Sequence, residues 1–177
     1  MNKQLEIRLS GAGGQGLLLA GIVLAEAAIL DGKHAIQTQS YGPEARGGAS
    51  KSEVIISDEE IHYPKVRVPD LFLALTQESA DTYLKEKESN GIIIVDEKVE
   101  LKNNIKYDKL YHAPILKTAS KKVGKSIVAN IVALGMIVEA TNVVSKESLL
   151  KAVLRRVPKG TEALNKLALE SGYALIN

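Results

Sequence analysis

Apolar positions recur along this chain in two periods, and the switches between them mark out its elements. Leu5, Ile7 and Leu9 alternate with Glu6, Arg8 and Ser10. Period two is the signature of a strand with one wet face, so residues 4–10 are expected to form a first strand that is half exposed or near a sheet edge. Glycines interrupt it. LLLAGIVLAEAAIL, from Leu17 to Leu30, is apolar almost all round and rich in Ala and Leu, which predicts a buried helix opening directly on the glycines and stopping at Gly32. Residues 35–40 and 50–57 read as two further strands on either side of SYGPEARGGAS, Ser40 to Ser50.

Farther on, DLFLALT (70–76) and GIIIVDE (91–97) are short continuous apolar runs, as expected of central strands buried on both faces. A polar helix from Gln77 to Lys87 separates them, giving a βαβ unit in outline. KLYHAPI is a weaker pattern and is expected to add one more strand. Three helical patterns follow over 126–140, 146–155 and 161–171, with Ser145 as N-cap of the second and Pro158 and Gly160 before the third. No internal repeat or interdomain linker interrupts them. The alternation predicts a three-layer α/β, Rossmann-like fold with a mostly parallel sheet and a helical C-terminal part, in one domain over 1–177.

Composition removes several function classes. The chain's 177 residues, 45% of them hydrophobic, are enough for a sizeable core. Its 23 basic and 21 acidic residues nearly cancel, and Lys121-Lys122 and Arg155-Arg156 are short clusters, so no nucleic-acid partner is expected. With no cysteine the chain carries neither a disulfide nor a cysteine-ligated iron–sulfur cluster of its own. MNKQLEIRLSG lacks the features of a signal peptide, and no apolar run reaches the roughly 18 residues of a membrane span, so a cytoplasmic, soluble protein without membrane partners is expected. His34, His62 and His112 share no ligand spacing, which disfavours a metal site. No G-x-S-x-G elbow supports a hydrolase.

Two loops carry the candidate chemistry. GAGGQG places Gly11, Gly13, Gly14, Gln15 and Gly16 between a strand and a helix start, where free amides and the helix dipole favour an anion. A tight turn that merely packs the helix on the sheet is the plain alternative. A dinucleotide site would add an acid at the end of the second strand, about 20 residues on. That strand ends in Gln37, Thr38, Gln39 and Ser40, and Asp31 reads as part of a solvated turn. No Gly-Lys-Ser/Thr completes a phosphate loop of the ATPase kind. In the second loop, Tyr41, Glu44, Arg46, Gly47, Gly48 and Ser50 combine amides free to adopt positive φ with an arginine able to clamp a carboxylate or phosphate. If the sheet order reverses beside the first strand, the two loops meet at the carboxyl ends of adjacent strands. Asn130, inside the apolar run SIVANIVALGMIVEA, needs partners, and so either braces a loop or faces another chain.

Together, GAGGQGLLLAGIVLAEAA, TQSYGPEARGGASKSEVIIS and IHYPKVRVPDLFLAL resemble the gamma subunits of the 2-oxoacid:ferredoxin oxidoreductases, most closely the 2-oxoglutarate type. The likeness covers nearly the whole chain and is strongest over residues 9–76. It implies a non-catalytic subunit in a complex with alpha, beta and delta subunits. Such a complex decarboxylates a 2-oxo acid on thiamine diphosphate and magnesium, passes electrons through iron–sulfur clusters to ferredoxin, and delivers the acyl group to coenzyme A. No cofactor is implied on this chain. The eleven loop residues named above become candidates for coenzyme A or subunit contact. Pyruvate, branched-chain and indolepyruvate enzymes are the alternatives within the resemblance; a stand-alone nucleotide- or coenzyme A-binding module is the alternative outside it.

Overall fold

The computed structural model describes residues 4–41, 48–84 and 91–176. Six strands form one mixed sheet in the order β2-β3-β1-β4-β5-β6, with β1 Gln4–Ala12, β2 His34–Tyr41, β3 Ala49–Ser57, β4 Leu71–Ala74, β5 Ile92–Asp96 and β6 Lys109–Ala113. β1, β4, β5 and β6 run parallel. β3 pairs antiparallel with both β1 and β2, so a parallel sheet is extended on one side by an antiparallel pair. The KLYHAPI pattern is borne out as β6.

The first strand corrects its expectation. β1 lies between β3 and β4 and is buried from Ile7 to Gly11. Its polar residues face protein rather than water. Arg8 is only 7% exposed and donates through Nε to Glu53 Oε1 at 2.7 Å, while Ser10 Oγ donates to the Leu73 carbonyl at 2.7 Å. Polar groups with partners inside the fold give the same alternation as polar groups in solvent.

The two faces of the sheet are covered unequally. On one, α1 (Leu17–Leu30), α3 (Ile115–Lys117), α4 (Ala129–Thr141), α5 (Lys146–Arg156) and α6 (Glu162–Ala174) share a core with Ile7, Leu9, Val54, Ile56, Leu71, Leu73 and Ile94. On the other, α2 (Gln77–Tyr83) and residues 99–105 cover Phe72, Ala74, Ile93 and Val95. α2 is expected to run to Lys87; it ends at Tyr83, and residues 85–90 lie outside those described. α1 is apolar all round because the sheet, α4 and α5 take different sides of it; Val23, Leu24, Ala27 and Ala28 are wholly buried. Burying each Val or Leu side chain contributes roughly 1.5–3 kcal/mol.

The turn after α1 does more than its sequence position implies. Asp31 lies half-buried in the expected turn beside the exposed Gly32, and it also holds the start of α5. Its Oδ1 accepts hydrogen bonds from Ser145 Oγ (2.8 Å) and Ser148 Oγ (2.6 Å), and its Oδ2 accepts one from the Ser145 N–H (2.5 Å). Ser145 caps α5 as its sequence position implies, accepting from the Ser148 N–H. Among the described residues, no helix is long and apolar enough to cross a membrane.

Candidate functional site

β1 ends at Ala12 and α1 begins at Leu17, so residues 13–16 must reverse the chain within four positions. Gly14 (φ 86°) and Gly16 (φ 74°) do so in the left-handed region, where an L side chain is strained. Gly16 is the N-cap of α1 and supplies no side-chain acceptor. The first amides of α1 are therefore left without intrahelical partners at the positive end of the helix dipole.

Four contacts pin this loop. Gln15 N–H donates to the Ala12 carbonyl at 3.3 Å, and Gln15 Oε1 accepts from the Ala12 N–H at 2.7 Å. The Gly13 N–H donates to the Gly48 carbonyl at 3.1 Å. Asn130 Nδ2 donates to the Gly16 carbonyl at 3.0 Å, which settles the asparagine as a brace for this loop.

The described end of the second candidate loop, Gly48 to Ser50, meets the first, though not as the sequence suggests. β3 runs antiparallel to β1, so it is the amino end of β3 that lies beside the carboxyl end of β1, pairing Ala49 with Ala12 and Ser50 with Gly11. Gly11 and Ser50 are buried in that pairing, whereas Gly13 and Gly14 are exposed. Gln15 folds back on the turn. Tyr41 ends β2; its side chain, together with Glu44, Arg46 and Gly47, lies outside the described residues, as does the proposed arginine clamp.

Beside the glycine loop opens a cleft of about 640 Å³, lined by Gly14, Lys98, Lys117, Ser120, Lys121 and Ser126 among others. Clefts of 300–1,000 Å³ suit small-molecule and cofactor ligands. Among the described lining residues Glu97 is the one acid, against three lysines. With the α1 dipole, the balance favours a polyanion. The position is that of ligand sites in open α/β sheets, beyond the carboxyl ends of parallel strands.

Asp96, wholly buried at the end of β5, holds two walls of this cleft together. Its Oδ1 accepts from the Lys98 N–H (3.1 Å) and its Oδ2 from the Leu116 N–H (2.9 Å). Lys121 lies on a π-helical segment, Thr118–Val123, a geometry that recurs at functional sites. A smaller apolar cleft of about 290 Å³ shares Gly14 and the 78% exposed Ile127 with the larger one and is walled by Gly16, Leu19, Asn130, Ile131, Val157 and Leu164.

The lysines, Ser120, Ser126 and Ile127 are absent from the sequence-derived candidates. The run KTASKKVGKS, Lys117 to Ser126, is the trace of all but Lys98 and Ile127 in the sequence, but read linearly it is only a short basic cluster. Among the described residues, no three His, Cys, Asp or Glu side chains converge as metal ligands.

The family profile described as pyruvate ferredoxin/flavodoxin oxidoreductase matches residues 6–175. The 2-oxoglutarate synthase subunit KorC of Methanocaldococcus jannaschii is 52% identical over 176 residues, covering 95% of this chain and 91% of that one. The gamma subunit of a keto/oxoacid ferredoxin oxidoreductase from Geobacter sulfurreducens superposes with a TM-score of 0.88 at 50% identity, covering 98% of this chain and 97% of that one. A 2-oxoglutarate:ferredoxin oxidoreductase from Magnetococcus marinus, solved with 2-oxoglutarate, coenzyme A and succinyl-CoA bound, shares the fold. It matches with a TM-score of 0.87 over 98% of this chain and 31% of that chain, at 23% identity.

Proposed function

The chain belongs to the pyruvate ferredoxin/flavodoxin oxidoreductase family, and from that premise we propose that it is the gamma subunit of a cytoplasmic 2-oxoglutarate:ferredoxin oxidoreductase. The 52% identity to a 2-oxoglutarate synthase subunit supports the substrate. In this reading the complex converts 2-oxoglutarate and coenzyme A to succinyl-CoA and carbon dioxide, and two electrons leave to ferredoxin. Alpha, beta and delta subunits hold thiamine diphosphate, magnesium and the iron–sulfur clusters; cysteine ligation of a cluster has no counterpart in a chain without cysteine. The 177 residues act as one domain.

This chain's part is to receive the phosphate-bearing end of coenzyme A. The single observation that carries the assignment is the cleft in which the exposed Gly14 stands with Lys98, Lys117 and Lys121. Coenzyme A is a polyanion at its nucleotide end, and a lysine cluster beside free helix-terminal amides is chemically matched to phosphates. The loop that ends at Gly48 carries Arg46, which adds a further cation or a contact to the partner subunits.

Lysine substitution in the assembled complex tests the assignment. Lys117→Ala is expected to raise the KM for coenzyme A about tenfold, as loss of one charge-assisted contact would, and to leave the KM for 2-oxoglutarate unchanged. An unchanged coenzyme A KM in both Lys117→Ala and Lys121→Ala complexes would remove the cleft from the reaction.

A further inference from the structure

We infer that Asn130 is a positioning residue for coenzyme A, holding the Gly16 end of the glycine loop so that Gly14 and Gln15 keep their place in the wall of the lysine-lined cleft. The inference rests on the reading of that cleft as the coenzyme A site.

Asn130 is 3% exposed in the first turn of α4, within an apolar wall. A primary amide there is costly unless both of its ends are used. Both are. Nδ2 donates to the Gly16 carbonyl at 3.0 Å, and Oδ1 accepts from the Ile131 N–H at 2.9 Å, one of the first-turn donors that a helix cannot satisfy by itself. The side chain is thereby locked in a single orientation.

What that orientation controls follows from the planarity of the peptide unit. The Gly16 carbonyl and the Leu17 N–H belong to one trans peptide and point in opposite directions. Holding the carbonyl, which also accepts from the Ala20 N–H at 3.0 Å, fixes the peptide plane that closes the loop, and with it the place of Gly14 and Gln15, which line the cleft. The contact is tight. A Cβ on Gly16 would lie 2.5 Å from Asn130 Nδ2, so the amide and the bare glycine fit each other. Asn130 itself lines the smaller apolar cleft with Gly14 and Gly16, and it follows Ala129, which with Ser126 and Ile127 lines the lysine cleft. One side chain thus fixes the glycine loop relative to the opposite wall.

The test uses the assembled complex with Asn130→Ala and, as the milder change for folding, Asn130→Ser, with Lys117→Ala alongside. The expected result is a coenzyme A KM raised about tenfold in the Asn130 variants, on the scale of one hydrogen bond to a charged ligand. The kcat at saturating coenzyme A and the KM for the 2-oxo acid are expected to stay within about twofold of wild type. A merely structural asparagine would lower the melting temperature or the yield of complex while leaving the coenzyme A KM untouched, and that result overturns the inference. So does a fall in kcat with no change in the coenzyme A KM. A raised KM in Lys117→Ala with unchanged Asn130 variants overturns this inference alone. Unchanged values in all three variants overturn the coenzyme A site with it.

Discussion

Asp31, which ends α1, accepts a 2.6 Å hydrogen bond from the hydroxyl of Ser148 in the first turn of α5, 117 residues later. Burial works to raise the Asp31 pKa, but the hydrogen bonds from Ser148 and Ser145 and the charge of Lys33 outweigh it, and the carboxyl sits below its ordinary 3.8. Because the folded state favours the carboxylate, the stability it contributes is fully present above that ordinary value. It is lost as the pH falls through the lower folded pKa. Asp31→Ala is expected to cost about 1–2 kcal/mol at pH 7, a drop of roughly 2–8 °C in Tm for a chain of this size. Thermal denaturation of variant and wild type at pH 7 and again near pH 2 checks this: the gap between the two curves narrows in acid. A gap that is absent at pH 7, or constant with pH, contradicts the clamp.

The crossing of α4 and α6 offers a test of packing. A Cβ on Gly135 would lie 2.5 Å from the Leu169 carbonyl oxygen, and one on Gly172 would lie 2.1 Å from that of Val132. Both obstructions are backbone and cannot swing aside. Gly135→Ala and Gly172→Ala are each expected to destabilise by at least about 2 kcal/mol, although alanine favours an isolated helix by about 1 kcal/mol over glycine. The urea midpoint of each variant reports it. A midpoint equal to or above that of wild type would show that the helices part without cost.

Much of the fold was legible from periodicity, and the exceptions share a cause. The all-apolar α1 and the continuous runs of β4 and β5 read correctly because their neighbours cover them on more than one side. β1 read as half exposed because periodicity records that Arg8 and Ser10 are polar without recording that Glu53 and the Leu73 carbonyl satisfy them. The contact of Asp31 with α5 was invisible for the same reason, since its partners at Ser145 and Ser148 lie more than a hundred residues away.

The glycine half of the candidate site was visible because φ above zero and the strand–loop–helix position demand particular residues locally. The lysine half was not. Lys98, Lys117 and Lys121 reach Gly14 only after β5 has been placed in the sheet and Asp96 has joined the segments that follow β5 and β6. A lysine carries no local signal to separate a cleft wall from a solvated face. Asn130 stood out as an apolar-run asparagine, and tertiary contact alone identified Gly16 as its partner.

The central claim, a gamma subunit serving coenzyme A-dependent oxidation of 2-oxoglutarate, is tested most directly by purifying the complex through this chain. The measurement is dye reduction by that complex with 2-oxoglutarate, pyruvate, a branched-chain 2-oxo acid and indolepyruvate, each with and without coenzyme A. The predicted result is reduction that requires coenzyme A and is fastest with 2-oxoglutarate. Recovery of this chain alone, or a complex that reduces the dye with none of the four acids, would contradict it.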